Sequence, residues 1–167
     1  REFEPGFRDP HIWLSPKRVK VMIDVIAQEV SNLDPDNEDL YLANAEQYKI
    51  ELDKLDDTIK ESLSDVSSRK FIAYHPAFGY LADDYDLTMY VLEEEGKEAT
   101  PQHLQDMVDL AIRENIKAVF YQSEIDSSQS KAFAEEIDGV TVELEPLAID
   151  YIPNFLKMIE TLAEVLL

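Results

Sequence analysis

Apolar residues recur at steps of three and four in the first third of the chain, after an irregular lead-in over residues 1–14. A helix is predicted to begin at Pro16, because Ser15 can cap it and a proline at the first helical position sacrifices no hydrogen bond. Its apolar positions fall on one face. They are Val19, Met22, Ile23, Ile26 and Val30. The segment Asp34–Asn37 is predicted to end this helix and to cap the next one.

The second predicted helix is long and carries one narrow apolar stripe. The stripe consists of Leu42, Ala45, Tyr48, Leu52, Leu55, Ile59, Leu63 and Val66. At 1.5 Å per residue it spans roughly 40 Å, which is longer than a small domain needs. A coiled-coil strand has the same pattern. A spine that connects two lobes fits better, because the pattern after this helix is different.

In the rest of the chain, short apolar strands alternate with helices. The predicted strands are Phe71–Tyr74, Leu87–Leu92, Ala118–Tyr121 and Val140–Leu144. The predicted helices are Ala77–Asp84, a helix that begins at Pro101, Ser127–Ile137 and Tyr151–Leu167. Crossovers of this kind are right-handed and produce a parallel sheet. The predicted fold class is therefore α/β, with a parallel four-stranded βαβ lobe and flanking helices, preceded by the long spine helix.

Charge and composition narrow the choice of function. The chain has 36 acidic and 15 basic residues and a net charge of −21, so it repels nucleic acid and anionic membrane surfaces. It has no cysteine, which excludes disulfides and thiolate metal sites. No apolar run approaches the roughly 20 residues that a membrane-spanning helix needs.

Candidate chemistry lies where the predicted strands end, because ligands of open parallel sheets bind beyond the carboxyl ends of the strands. His75 follows the first strand and Glu145 the fourth, while Glu93 and Glu124 follow the second and third. A single histidine after a strand is often only a structural hydrogen-bonding residue. Paired with a carboxylate, it suits zinc, or manganese where more oxygen ligands are present.

The other two histidines lie just before and inside helices. His11 precedes the first helix in a loop with Pro10 and Trp13, where it is either a surface residue or a ligand. His103 falls in the first turn of a helix, a position unfavourable to a cation, and is predicted to be a solvated surface residue.

Four motifs resemble those of the zinc/manganese-binding solute-binding proteins of ABC transporters. The segment Asp9–Leu14, DPHIWL, resembles the DPHxW motif that precedes a helix in that family. The segment Tyr74–Tyr80 is similar to a second motif, in which a histidine follows a strand and precedes a small residue, an aromatic and a tyrosine. Glu94–Pro101 resembles an acidic turn, and Glu145–Leu147 resembles a DPL motif with glutamate in place of aspartate.

The resemblance implies a metal site rather than a catalytic one. It makes His11, His75 and Glu145 the expected metal ligands, with Glu124 as the alternative carboxylate. Two imidazoles favour Zn²⁺ over Mn²⁺ as the bound ion. The expected partner is a membrane permease of an ABC transporter, which would receive the ion. The expected location is extracytoplasmic, in the periplasm or at the cell surface, with anchoring through an earlier segment.

The resemblance also implies a division of the chain. Residues 1–34 would be the remnant of an N-terminal lobe with the metal loop, residues 35–68 the linking helix, and residues 69–167 the C-terminal α/β lobe. A further histidine ligand is expected upstream of Arg1. Two other functions stay open: a zinc enzyme with three protein ligands and an open fourth position, in which Glu124 is the base, and an adhesion or interaction module with an acidic surface.

Overall fold

The computed structural model describes residues 2–4, 6–93, 96–123 and 128–167. The lead-in, predicted to be irregular, contains a short antiparallel hairpin of β1 (Glu2–Glu4) and β2 (Phe7–Arg8). Gly6 turns the chain between them with φ of 89°, which glycine adopts without a steric penalty. The sequence pattern missed this hairpin because such short strands show no clear alternation.

Two long helices follow the hairpin and pack against each other. Helix α1 spans Pro16–Leu33, and the side chain of Ser15 caps it by accepting a hydrogen bond from the amide of Arg18, as predicted. Helix α2 spans Glu38–Ser62 and ends before the predicted stripe does. The stripe outlasts the helix because Leu63 and Val66 pack into the same core from non-helical chain.

The sheet has four parallel strands, which confirms the predicted fold class. The strands are β3 (Lys70–Ala73), β4 (Thr88–Val91), β5 (Ala118–Gln122) and β6 (Val140–Leu144), in the spatial order β4-β3-β5-β6. The chain passes from β3 to one side and then crosses back to the other. The order therefore reverses between β3 and β5, the point at which open α/β sheets form a crevice for ligands.

Helices cover both faces of this sheet. They are α3 (Gly79–Asp84), α4 (Pro101–Glu114), α5 (Ser128–Glu136) and α6 (Tyr151–Leu166). Successive residues of β3 point to opposite faces, so Phe71 joins the core beneath α2 and α6, whereas Ile72 joins the core beneath α4 and α5. The sheet is thus the middle layer of three.

Helix α2 has two halves with different surroundings. Leu52, Leu55 and Ile59 in its second half are at most 2% exposed, in the core that α6 shares. The first half packs on α1, and several apolar side chains of this helix pair are 40% exposed or more. They are Val21, Val25, Ile26, Leu33, Leu40, Leu42 and Ile50. The division at residues 34 and 68, and the role of α2 as a link between lobes, stay predictions.

None of the helices in the described part of the chain is long and apolar enough to cross a membrane.

Candidate metal centre

His11 and His75 are 64 positions apart in the sequence and meet beyond the carboxyl end of β3. Their Nε2 atoms are 3.2 Å apart. The two rings are 5.0 Å apart between centroids and nearly perpendicular, at 80°. Among the side chains predicted to bind metal, these two are therefore brought into direct contact.

The end of β3 positions His75. The amide of Tyr74 donates to the carbonyl of Phe120 at 2.8 Å, so the backbone stays paired with β5 up to the residue before His75. A 3₁₀ turn over Pro76–Phe78 then takes the chain away from the sheet. His75 thus lies beyond the carboxyl end of β3, where the sequence predicted a ligand site, and the strand order reverses beside it.

Three long-range hydrogen bonds position His11 by fastening its loop to the α/β lobe. Trp13 donates its Nε1–H to the carbonyl of Pro146 at 3.0 Å, and Tyr151 donates its hydroxyl to the carbonyl of Trp13 at 2.7 Å. Tyr80 donates its hydroxyl to the carbonyl of Asp9 at 3.0 Å. Leu14, 1% exposed, anchors the same loop in the core.

An ion pair extends this fastening to the start of α1. Arg18 donates from Nε and Nη2 to both carboxylate oxygens of Asp84, at 2.9 and 2.8 Å, and Ser15 donates to the same carboxylate. Burial alone would raise the pKa of Asp84, but the bonds from Arg18 and Ser15 outweigh it and hold that pKa below its ordinary value. The loop that carries His11 is therefore attached to the lobe that carries His75.

Each histidine has a carboxylate on the far side of its ring. The Nδ1 of His11 lies 2.8 Å from Oδ1 of Asp9, and the Nδ1 of His75 lies 2.8 Å from Oε1 of Glu93. An ionised carboxylate only accepts hydrogen bonds, so both Nδ1 atoms donate. The Nε2 atoms are consequently the ring nitrogens directed at the space that the two histidines share.

The separation of the Nε2 atoms suits a zinc ion. Zinc binds imidazole nitrogen at about 2.0–2.1 Å, and a tetrahedral angle then places two ligand nitrogens roughly 3.3 Å apart. The observed distance is 3.2 Å. The side chains of His11 and His75 are 13% and 27% exposed, so an ion can reach them from solvent.

Glu145 follows β6, as the third predicted ligand should. Its residue is exposed, and its carbonyl accepts a hydrogen bond from Asn154 at 2.6 Å. Within residues 2–4, 6–93, 96–123 and 128–167, no three histidine, aspartate or glutamate side chains form a group that could hold a metal ion. The assignment of Glu145 therefore stays a prediction, and the alternative, Glu124, lies outside the described residues.

His103 takes no part in this site. It is half-buried rather than solvated, and its Nε2 donates to the carbonyl of Val91 at 3.1 Å. The prediction that His103 lies in the first turn of a helix is confirmed, because Thr100 caps α4 by accepting a hydrogen bond from the amide of His103. The sequence pattern did not reveal that the ring folds back onto the end of β4.

Asp9 and Glu93 are the side chains whose role the sequence did not predict. For Glu93 the signal was strand register: Ala73 pairs with Val91, so His75 and Glu93 are each two residues beyond a paired position. That register is visible only once β3 and β4 are known to be neighbours. For Asp9, the signal was its position two residues before His11, which allows a local hydrogen bond.

Comparison with known proteins assigns nearly the whole chain to one family. The family described as "Zinc-uptake complex component A periplasmic", ZnuA, matches residues 2–166. The zinc-binding protein AdcA of Streptococcus pyogenes serotype M6 is 28% identical over 166 residues, which cover 92% of this chain and 32% of AdcA. The high-affinity zinc uptake system protein ZnuA of Bacillus subtilis is 29% identical over 141 residues, which cover 83% of this chain and 44% of that protein.

Solved structures of ZnuA have the same fold as this chain. A crystal structure of ZnuA superposes with a TM-score of 0.96 at 38% identity, over 99% of this chain and 65% of that one. A zinc-bound ZnuA deletion mutant superposes with a TM-score of 0.92 at 37% identity, over 96% of this chain and 62% of that one. The chain spans between about a third and just over half of the curated relatives it matches. With a family match over residues 2–166, the chain belongs to the ZnuA family, the periplasmic component A of zinc-uptake complexes.

Proposed function

We propose that this protein captures Zn²⁺ outside the cytoplasm and delivers it to the membrane permease of an ABC transporter. One observation carries the proposal: the Nε2 atoms of His11 and His75 face each other at 3.2 Å, while both Nδ1 atoms are held by carboxylates. The bonds from both Nδ1 atoms leave both Nε2 atoms directed at one point, at a separation that suits two nitrogens bound to one zinc ion. The names of the relatives, a zinc-binding protein and a zinc uptake protein, support the same cargo.

His11 and His75 are proposed as metal ligands and Glu145 as the third, with Glu124 as the alternative carboxylate. Glu145 supplies a hard oxygen at the end of β6, in the same layer of strand ends as His75. Two imidazole nitrogens favour zinc over manganese, because manganese lies at the weak end of the divalent affinity series and prefers oxygen ligands, whereas imidazole suits zinc. The net charge of −21 also favours the approach of a cation.

Capture rather than catalysis is the proposed role. A zinc enzyme needs a general base and an oxyanion donor beside the metal. The carboxylates nearest the described histidines, Asp9 and Glu93, already accept hydrogen bonds from the rings and so serve poorly as bases. The proposed location is extracytoplasmic, in keeping with the family's description as periplasmic.

A zinc titration with matched variants tests the proposal. His11→Ala and His75→Ala each remove one proposed ligand, while His103→Gln alters a histidine whose ring donates to the carbonyl of Val91 at the end of β4. Competition with a chromogenic chelator should give a zinc dissociation constant at least tenfold weaker for both alanine variants and unchanged for His103→Gln. Wild-type zinc affinity in His75→Ala would refute the proposal.

A further inference from the structure

Two buried carboxylates stand behind the histidine pair, and their geometry points to a shared role. We propose that Asp9 and Glu93 are positioning residues that orient His11 and His75 so that both Nε2 lone pairs converge on one divalent ion. This inference rests on the proposed function, since it assigns the residues that support the same site. The proposed ligands His11 and His75 would touch the ion, whereas Asp9 and Glu93 would act on the ion only through these two rings.

Glu93 is held in place by the sheet. Its amide donates to the carbonyl of Tyr74 at 3.0 Å, so the pairing of β4 with β3 continues one step beyond the strands. Its side chain is only 8% exposed, and Oε1 lies 2.8 Å from Nδ1 of His75. A carboxylate removed from water is costly unless it is paired and hydrogen-bonded. The imidazole supplies that pairing and is fixed in return.

Asp9 holds His11 at two points. Its Oδ1 accepts from the backbone amide of His11 at 3.0 Å and lies 2.8 Å from Nδ1 of the same residue. The side chain of Asp9 is 0% exposed. Its carbonyl accepts from the hydroxyl of Tyr80, so the clamp on His11 is itself anchored to the α/β lobe.

The two bonds decide which ring nitrogens are available. Because Nδ1 donates to a carboxylate in each ring, the neutral imidazole keeps its lone pair on Nε2. His103 shows the opposite arrangement within the same chain, since its Nε2 donates to a backbone carbonyl. Without Asp9 or Glu93, the imidazole would be free to rotate about its Cβ–Cγ bond, and this rotation would turn Nε2 away from the ion. Carboxylates in this position typically change metal affinity by about 10–100-fold.

A graded series of variants tests the role of Glu93. Glu93→Gln keeps an acceptor for Nδ1 but removes the charge, and Glu93→Ala removes both. The matched control is Glu114→Gln, because Glu114 pairs with Lys70 at the amino end of β3, at the other end of this strand from His75. Zinc affinity should fall about 10–100-fold in Glu93→Ala and less in Glu93→Gln, with no change in Glu114→Gln. Asp9→Asn should weaken zinc binding in the same direction.

Two further readouts separate positioning from a loss of fold. The melting temperature of the metal-free chain should not follow the order of the zinc affinities, and the visible absorption of the cobalt-loaded chain should change in Glu93→Ala but not in Glu114→Gln. Wild-type zinc affinity in a folded Glu93→Ala, or in Glu93→Gln and Asp9→Asn together if Glu93→Ala does not fold, would overturn the inference. If these variants and His75→Ala all bind zinc normally, both the inference and the proposed function fail. If His75→Ala loses zinc while the Glu93 and Asp9 variants bind it normally, only the inference fails.

Discussion

The hydroxyl of Tyr151 offers the cleanest perturbation of the loop that carries His11. Tyr151→Phe removes only the oxygen that donates to the carbonyl of Trp13 at 2.7 Å, and it leaves the ring in place beside Phe155, 5.4 Å away. Burial raises the pKa of the Tyr151 phenol, so the hydroxyl keeps its proton and donates throughout the working pH range.

The expected loss follows from this single bond. An ordinary hydrogen bond contributes about 1 kcal/mol, and a carbonyl left without its donor adds to the penalty, so the total is about 1–2 kcal/mol. For a chain of this size, each kcal/mol corresponds to roughly 2–4 °C, which predicts a melting temperature lower by roughly 2–8 °C. Since 1.4 kcal/mol is a factor of ten, zinc affinity falls by at most about thirtyfold.

Differential scanning calorimetry and zinc competition measure the two effects. The control is Tyr41→Phe, which removes a hydroxyl that donates to Asp34 at 2.6 Å, where α1 gives way to α2. This variant should keep wild-type zinc affinity, because the hydroxyl of Tyr41 bonds to Asp34, between α1 and α2, and not to a residue of the proposed site. If Tyr151→Phe matched Tyr41→Phe in both melting temperature and zinc affinity, the argument that this hydroxyl fastens the His11 loop would be refuted.

Further predictions concern stability and metal loading. Leu55→Ala should lower the free energy of unfolding by about 2–5 kcal/mol, against under about 0.5 kcal/mol for the exposed Leu42→Ala, as measured by urea denaturation. The pKa of Asp84 is lowered in the folded chain, so its stabilisation is fully present above the ordinary pKa of an aspartate and is lost as pH falls through the lowered folded pKa. In Asp84→Asn, unfolding measured from pH 6 to pH 3 should therefore depend less on pH. Zinc at a hundredfold excess over its dissociation constant should stabilise the chain by about 2.7 kcal/mol, and removal with a chelator should reverse this in calorimetry; an unchanged melting temperature would contradict specific binding.

The sequence predicted the elements that have regular patterns. The Ser15–Pro16 start of α1 and the four parallel strands are confirmed, because caps and apolar strand runs are local signals. The end of α2 was placed too late. Leu63 and Val66 continue the apolar stripe, but they contribute to the core without being helical. A periodic apolar pattern indicates which residues are buried. It does not show whether the last of them are helical or belong to the segment that follows the helix.

The site was predictable in part, for a similar reason. Strand-end reasoning indicated His75 from the residues themselves, whereas His11 depended on the resemblance of its loop to a family motif. What the sequence did not show is the long-range hydrogen bonding of that loop, from Trp13 to Pro146 and from Tyr151 to Trp13. Such contacts depend on the relative placement of distant elements, which no local pattern encodes.

The long-range hydrogen bonds of the His11 loop limit how zinc could leave the proposed site. Separation of His11 from His75 by movement of the whole loop would break the bonds made by Trp13, Tyr80 and Tyr151, at about 1 kcal/mol each, and would expose Leu14, at about 2 kcal/mol. The sum of about 5 kcal/mol leaves the open loop in about one molecule in several thousand. Movement of a carboxylate such as Glu145, which is exposed at the end of β6, requires no such loss. The proposed delivery to a permease should therefore begin at the proposed carboxylate ligand, with the two imidazoles leaving the ion last.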